Sequence, residues 1–318
     1  MMDALAGAGG WGYFSGGLEA YARGFRFVEV NVSFYRRIPE ATARRWRSRV
    51  PDDFVFALKA NQAITHADRL RASARARAAF SHDLRIARIL RSPFLILETP
   101  PGLRFEAAQV LGLRELAGRA VDALRLGLEA RAYRGQKKLP EALRRTMEQD
   151  RVLDVVDLSQ GPPRVPDEVV YTRLFGPGPA NVYQFDDAEL RAIDRASGDA
   201  VRAALTFHGV RMYTDAARFL AFKRTGTFPP ATSARGPASL EEVLRPDARF
   251  PATREELQRD HGWKVVDLDD DTRVHATRLI QRIPSRTYQS LADLLSEIEI
   301  PTEPGPQSGL PKATERSK

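Results

Sequence analysis

The feature that most constrains the fold is an alternation. Short runs rich in Phe, Val, Leu and Ile recur along the first two thirds of the chain, separated by longer stretches with helical periodicity. The clearest runs occupy 27–32, 54–58, 94–97, 124–128, 152–158, 169–174 and 201–207, and the helical patterns 39–50, 70–90, 105–121, 139–149, 187–196 and 212–223. Continuous apolar runs suit strands buried on both faces, as in a parallel sheet covered by helices. With a glycine-rich first run at 3–9 the strands number eight, which predicts an α/β chain folded as a closed (β/α)8, TIM-like barrel in preference to an open doubly wound sheet. Two elements fit poorly. The run 3–9 has little β propensity, and the proline-rich 160–167 stands where a helix should join the sixth and seventh strands, so a degenerate crossover is predicted there.

The barrel is predicted to occupy 1–232. Beyond Pro229 the texture turns to Pro, Ala, Ser, Thr and Gly, which reads as a linker over 233–248. A small α+β or all-α unit is predicted over 249–300: Thr253 to Glu256 form a capping-box signal, 265–268 is apolar, Asp269, Asp270 and Asp271 make a turn, and 274–283 and 290–300 read as helices. The Pro-, Gly- and Lys-bearing tail 301–318 is predicted to be disordered.

Composition narrows the chemistry. The 318 residues contain no cysteine, which excludes disulfides, thiolate catalysis and Cys-ligated zinc. No apolar run approaches the ~18 to 20 residues that cross a bilayer, and the first residues lack the basic start and apolar core of a signal peptide. A cytoplasmic protein without a membrane partner is therefore expected. Forty-nine Lys and Arg against 41 Asp and Glu leave a formal charge of +8, which favours anionic partners. The competing explanation is a set of solvated helix faces, since Arg69, Arg71, Arg75, Arg77, Arg85, Arg88 and Arg91 recur along one helical pattern.

In a parallel barrel the reactive groups stand where strands end at their carboxyl side. That filter selects Glu29, Asn31, Ser33 and Tyr35 from the second strand, Lys59, Asn61 and then His66 from the third, and Glu98 and Thr99 from the fourth. It adds Glu129 and Arg131, Asp154 and Asp157, Arg173, and finally Thr206 and His208. Residues two apart in a strand share a face, so Glu29 with Asn31 and Glu129 with Arg131 are predicted to point together. Charges inside apolar strands are costly unless paired, so Lys59, Glu129, Arg131, Asp157 and Arg173 form either a ligand site or a buried salt-bridge network.

The same residues carry a resemblance. Gly7, Gly9, Gly10, Trp11, Gly12 and Tyr13 are similar to a Gly-Thr-Ser-Gly-Trp-Ser-Tyr opening, and VEVNVSFYR at 28–36 is similar to VEINSTFYR. The segment 54–60 with Ile64, Thr65, His66, Arg69 and Leu70 resembles an FxFAVKA…ITHxxRL block. Thr99, Pro100 and Pro101, then Glu129 with Arg131, then Tyr171, Arg173, Leu174 and Gly176 follow in order. On these blocks the chain resembles the YecE-like family (domain of unknown function 72). The resemblance implies a TIM-like barrel and no established reaction. Glu98 stands where the family usually has Gln, Phe175 where it often has His, and Thr206, Phe207, His208 where it often has Phe-Asn-Asn, which argues against chemistry resting on those positions.

Three functions are open from the residues. The first is an enzyme of hydrolase or isomerase type acting on an anionic small molecule, with Lys59, Arg131 and Arg173 as the anion clamp, Glu29 or Glu129 as general base, and His66 as general acid or its partner. Trp11 and Tyr35 would supply a stacking wall, and Asn31 and Asp157 complete the predicted substrate-binding set. No cofactor is expected; a divalent-metal variant would use Glu29, Glu98, Glu129, Asp157, His66 and His208, although no HxH or HxxxH spacing exists. The second is a nucleic-acid-binding protein or nuclease using the basic surface and the C-terminal unit. A non-catalytic scaffold is the third. Walker, Rossmann and Gly-x-Ser-x-Gly signatures are absent.

Overall fold

The computed structural model describes residues 3–120, 124–198 and 200–299; the predicted tail 301–318 and the predicted helix end at Val121 lie outside them. Among the described residues eight strands form one sheet: β1 (Asp3–Ala8), β2 (Phe27–Val30), β3 (Val55–Lys59), β4 (Phe94–Glu98), β5 (Arg125–Glu129), β6 (Leu153–Asp154), β7 (Val169–Leu174) and β8 (Arg202–Phe207). Their order is β6-β5-β4-β3-β2-β1-β8-β7 and every pairing is parallel. The last seam, between β6 and β7, is held by a parallel bridge from Val156 to Thr172 and by Arg173 N–H donating to Val156 O at 3.0 Å. The result is a nearly closed (β/α)8 barrel.

The intervening helices are α1 (Gly17–Gly24), the short α2 (Val32–Tyr35), α3 (Glu40–Ser48), α4 (Ala74–Leu90), α5 (Ala107–Ala117), α6 (Glu141–Gln149), α7 (Asp187–Ala196) and α8 (Met212–Thr225). No helix lies between β6 and β7, as the prolines predict. Strand six is shorter than its apolar run: Leu153 and Asp154 pair with β5, Val156 only bridges Thr172, and Asp154 holds Arg164 of the following loop, 2.8 Å from its Nε and 2.6 Å from its Nη2. The weak first strand forms because β8 pairs with all six of its residues. Partnership here overrides propensity. Only one register pair, Ala8 with Val28, joins β1 to β2. Tyr21 completes that junction: its hydroxyl accepts from Ala8 N–H at 2.8 Å and donates to Phe27 O at 2.7 Å.

A helix start and a strand end differ from expectation. The helix predicted from residue 70 starts at Ala74, capped by Ser73, whose Oγ accepts from Ala76 N–H at 3.0 Å. Before it, Arg69 and Leu70 adopt left-handed φ values of 49° and 57°. The Leu70 carbonyl then lies so close to α5 that a Cβ on Gly112 would sit 1.9 Å from it, so glycine is required there. The second strand, predicted to reach 32, ends at Val30, because Asn31 already has helical angles and opens α2.

Inside the barrel, side chains of alternate strand positions fill the lumen: Phe27, Ala57, Phe94, Ile96, Tyr171 and Ala204, with Leu153 and Val155 beside them. Tyr171 meets Phe94 edge to face with centroids 5.2 Å apart. Burying each such aromatic contributes roughly 1.5–3 kcal/mol, so this layer forms a solid floor beneath the carboxyl rim.

The chain divides into two compact units. One holds residues up to Leu174, 193–208 and 212–220; the other holds 175–192, 209–211 and 221 onward. In the second unit, α9 (Pro237–Leu244) occupies the segment read as a linker, and its Leu240 and Leu244 join Leu257, Val266, Leu279 and Tyr288 in one core. The unit adds β9 (Ala252–Thr253), α10 (Arg254–His261), β10 (Val265–Asp267), β11 (Arg273–His275), α11 (Thr277–Ile280), β12 (Thr287–Tyr288) and α12 (Leu291–Leu295). It is therefore α+β. The capping box at α10 forms as predicted, with Thr253 N–H 2.8 Å from Glu256 and Glu256 N–H 3.2 Å from Thr253 Oγ1. Part of the predicted helix 274–283 is instead β11, which returns on β10 across the Asp269 turn. No helix among the described residues is long and apolar enough to cross a membrane.

Candidate active site

The period-two ladder that fills the lumen continues at the carboxyl ends of the strands, and on five of them it brings a charged side chain inward. Glu29 follows Phe27, Lys59 follows Ala57, Glu98 follows Ile96, Arg173 follows Tyr171, and Glu129 ends β5; all five are buried. Arg173, 2% exposed, is the hub. Its Nε and Nη2 lie 3.2 and 3.1 Å from Glu29 Oε1, and Nη1 meets both Glu98 and Glu129. Lys59 Nζ is 2.8 Å from Glu98 Oε2, Arg131 Nη1 is 3.3 Å from Glu98 Oε1, and Arg134 Nη2 is 2.9 Å from Glu129 Oε1. Tyr171 donates its hydroxyl to Glu29 Oε2 at 2.8 Å.

The charges tune one another. Burial opposes ionisation of Glu98, but Arg173 and Lys59 outweigh it and bring the carboxyl down to about 2. Burial also opposes the charge on Arg173, and Glu29, Glu129 and Glu98 overcome it and hold the guanidinium firmly protonated. Lys59 ends on the other side of the balance: burial, then the neighbouring Arg173, lower its ammonium pKa in spite of Glu98. His208, buried beside the same cations, is pushed well below the usual imidazole value, first by burial and then by Arg173 and Lys59. Thr206 donates its hydroxyl proton to Thr172 O at 3.0 Å, so toward His208 Nε2, also 3.0 Å away, it acts as acceptor. The neutral imidazole therefore carries its proton on Nε2.

At the mouth, Phe34 joins groups that the sequence keeps apart. Lys59 Nζ lies 4.0 Å from the centre of its ring, His66 meets it edge-on at 4.9 Å, and Tyr35 at 5.0 Å. His66 stands on a π-helical turn (Ala63–Ala67) with Nδ1 2.9 Å from Thr65 Oγ1, and burial lowers its pKa. Asn31, no longer in a strand, donates from Nδ2 to Gly9 O, while its buried Oδ1 has no hydrogen-bond partner among the described residues. Gly9 must lack a side chain here: a Cβ would lie 2.3 Å from His208 Nδ1 and 2.8 Å from Asn31 Nδ2.

Beside this network a pocket of about 430 Å³ opens between the loops that follow β5 and β6. Arg131, Arg134, Lys137 and Arg164 face it against Glu129 and Asp157, so cations outnumber carboxylates in its wall. Arg164 is committed to Asp154 and to Tyr133 O. Arg131 lies in a 3-10 turn (Arg131–Tyr133), off the strand face expected for it, and its buried Nε makes no hydrogen bond among the described residues. Asp157 accepts from Ser159 N–H at 3.0 Å and from Gln160 Nε2 at 3.2 Å.

Of the residues selected from sequence, Glu29, Lys59, Glu129, Arg131 and Arg173 thus meet in one network, Asp157 shares the pocket with Glu129 and Arg131, and His66 and Tyr35 gather on Phe34. Trp11 goes elsewhere. Its ring packs on Trp46 of α3 at 5.0 Å and on Phe56, whose side chain alternates away from the lumen, so it forms no wall with Tyr35. Arg173 faces carboxylates on every side, the arrangement of the salt-bridge alternative. Glu29, Glu98 and Glu129, three of the four carboxylates of the metal set, each face that guanidinium, and the fourth, Asp157, accepts from Ser159 and Gln160. Glu98, selected from sequence as a strand-end residue and given a role only in that set, proves central to the network. Tyr171 was detectable by its two-residue spacing from Arg173 and Phe34 by its place in the block 28–36, whereas Arg134, on an irregular segment, carried no signal.

A family profile described as "Protein of unknown function DUF72" matches residues 14–221, and the chain belongs to that family. Comparison with curated proteins gave no match. Among solved structures the chain is similar to a DUF72 family protein from Enterococcus faecalis V583, with 16% identity, a TM-score of 0.55, and coverage of 71% of this chain and 98% of that one. It is likewise similar to a DUF72 family protein from Thermotoga maritima MSB8, with 17% identity, a TM-score of 0.55, and coverage of 70% and 98%. At these identities the likeness establishes the barrel fold.

Proposed function

We propose that the chain is an enzyme acting on a phosphate- or carboxylate-bearing small molecule at the carboxyl rim of its barrel. The observation that carries this reading is the pocket wall in which Arg131, Arg134 and Lys137 stand against Glu129 and Asp157. Guanidinium groups offer paired donors to a planar or tetrahedral anion, and the Nε of Arg131, 4.0 Å from Glu129 Oε1, makes no hydrogen bond among the described residues. The clamp therefore centres on Arg131 and Arg134, with Lys137 as an exposed point charge. His66, held toward its neutral form, supplies a proton acceptor at the mouth, and Tyr35 a stacking face. Titration of the full-length protein with inorganic phosphate tests this. Saturable thermal stabilisation that is lost in Arg131→Ala supports the reading; a chloride-like, non-saturating response ends it.

A specific observation favours a second reading. Tyr13 and Tyr35, 91% and 69% exposed, lie on the segments after the adjacent strands β1 and β2, where bases of a single strand would stack. Binding of a labelled oligonucleotide that weakens steeply with salt supports it, and absence of binding at low salt removes it.

A further inference from the structure

We propose that Lys59 captures a carbonyl: its Nζ forms an imine with an aldehyde or ketone substrate whose anionic group is held by Arg131 at the rim. This rests on the rim being the site of an anionic substrate, and it names the functional group that reacts.

Lysine is out of place here unless its amine is used. Among the described residues Lys59 is the one lysine on the eight barrel strands. Within the barrel unit arginine supplies the cation to Glu29, Asp52, Asp68, Glu115, Asp154 and Asp167, whereas Glu98 takes Lys59 beside Arg131 and Arg173. An arginine would satisfy Glu98 with more donors and a permanent charge, but it cannot act as a nucleophile. Position agrees with this. Nζ stands at the carboxyl end of β3, in the layer directly above the apolar floor, with the Phe34 ring 4.0 Å to one side and Glu98 2.8 Å to the other. Burial and an adjacent cation, the two influences that release an amine for attack, both act on it.

Glu98 completes the chemistry. Its Oε2 accepts a proton from the ammonium, and the freed amine adds to the carbonyl carbon as the C=O π bond opens. A proton moves from nitrogen to that oxygen, giving a carbinolamine. Glu98 then returns its proton to the hydroxyl, the C–O bond breaks, and water leaves with the C=N bond formed. The balance is ammonium plus carbonyl to protonated imine plus water, with Glu98 regenerated and no redox partner needed. Held ionised by Arg173 and Lys59, Glu98 keeps a transferred proton only briefly. Arg131 bonds the opposite oxygen of the same carboxylate at 3.3 Å. The anion and the carbonyl of the substrate are thereby fixed one carboxylate apart, which suits a compact 2-oxo acid or a phosphorylated aldehyde or ketone.

The test is reductive trapping. Full-length protein is treated with glyoxylate or dihydroxyacetone phosphate in the presence of sodium cyanoborohydride, and its peptides are mapped by mass spectrometry. The expected result is an adduct on Lys59 formed ahead of those on the exposed Lys137 and Lys138, with loss of that adduct in Lys59→Arg. Labelling of Lys137 and Lys138 with an unmodified Lys59 peptide overturns the proposal, and this wild-type map decides the matter even where the variant does not fold. If phosphate binds saturably while Lys59 stays unmodified, the imine falls and the anionic site stands. If neutral propanal labels Lys59 as fast as glyoxylate does and phosphate gives no protection, the imine stands and the anionic site falls.

Discussion

Replacing Arg173 with Met tests the charge network most directly. The cost follows from what each carboxylate keeps. Glu98 retains Lys59 and Arg131, and Glu129 retains Arg134. Glu29, fully buried, loses both of its close guanidinium contacts; among the described residues it keeps the Tyr171 hydroxyl at 2.8 Å, an imidazole held neutral at 3.6 Å, and the more distant charge of Lys59. A buried charge stripped of its partner costs about 3–5 kcal/mol. For a unit of this size that lowers the melting temperature by about 6–20 °C. Urea unfolding at pH 8 measures the loss, and the double variant Glu29→Gln with Arg173→Met identifies its source, because a neutral amide removes the orphaned charge and should recover most of the stability. A loss below about 1 kcal/mol, or no coupling between the two substitutions, would show that Arg173 is not the hub described above.

Tyr21→Phe removes the hydroxyl that joins β1 to β2 and leaves the Ala8 amide unsatisfied; about 1–3 kcal/mol should be lost, with faster hydrogen exchange at Ala8. Stability should also fall in acid in two steps. The folded pKa of His208 is depressed, so the unfolded chain takes up its proton first and stability is lost as pH drops through 6.5; His208→Asn should flatten that part of a urea-midpoint profile. Glu98 is depressed as well, so its contribution is present above 4.5 and disappears as pH falls toward about 2; Glu98→Gln should remove this second step.

What could be read from the sequence follows from the range of each interaction. Strand positions were legible because burial on both faces of a parallel sheet demands apolar runs, and the carboxyl ends of those runs then singled out Glu29, Lys59, Glu98 and Arg173. Period two says which way a side chain points and is silent on what it meets, so the partners of Arg173, drawn from three other strands, were not legible. The end of β2 was hidden for a related reason: Asn31 turns where its amide reaches Gly9 O, 22 residues away. The helix α9 was within reach, since Leu240 and Leu244 keep helical spacing behind Pro237 at the helix start. The surrounding Ala, Ser and Gly masked it. The left-handed pair Arg69 and Leu70 interrupts a pattern that looks helical throughout, and the close approach of Gly112 that accompanies it is a tertiary contact.

The pairing of β1 sets an order of events during synthesis. The strand made first of the eight makes one register pair with β2 and six with β8, whose last residue is Phe207. Its principal partner therefore does not exist until some two hundred residues later, and a strand left waiting that long exposes its backbone to wrong partners. The Tyr21 hydroxyl, by contrast, joins β1 to the chain beside β2 through residues at most 13 positions apart. Ring closure through β8 is thus the long-range part of this strand's pairing, and the tyrosine contact the local part.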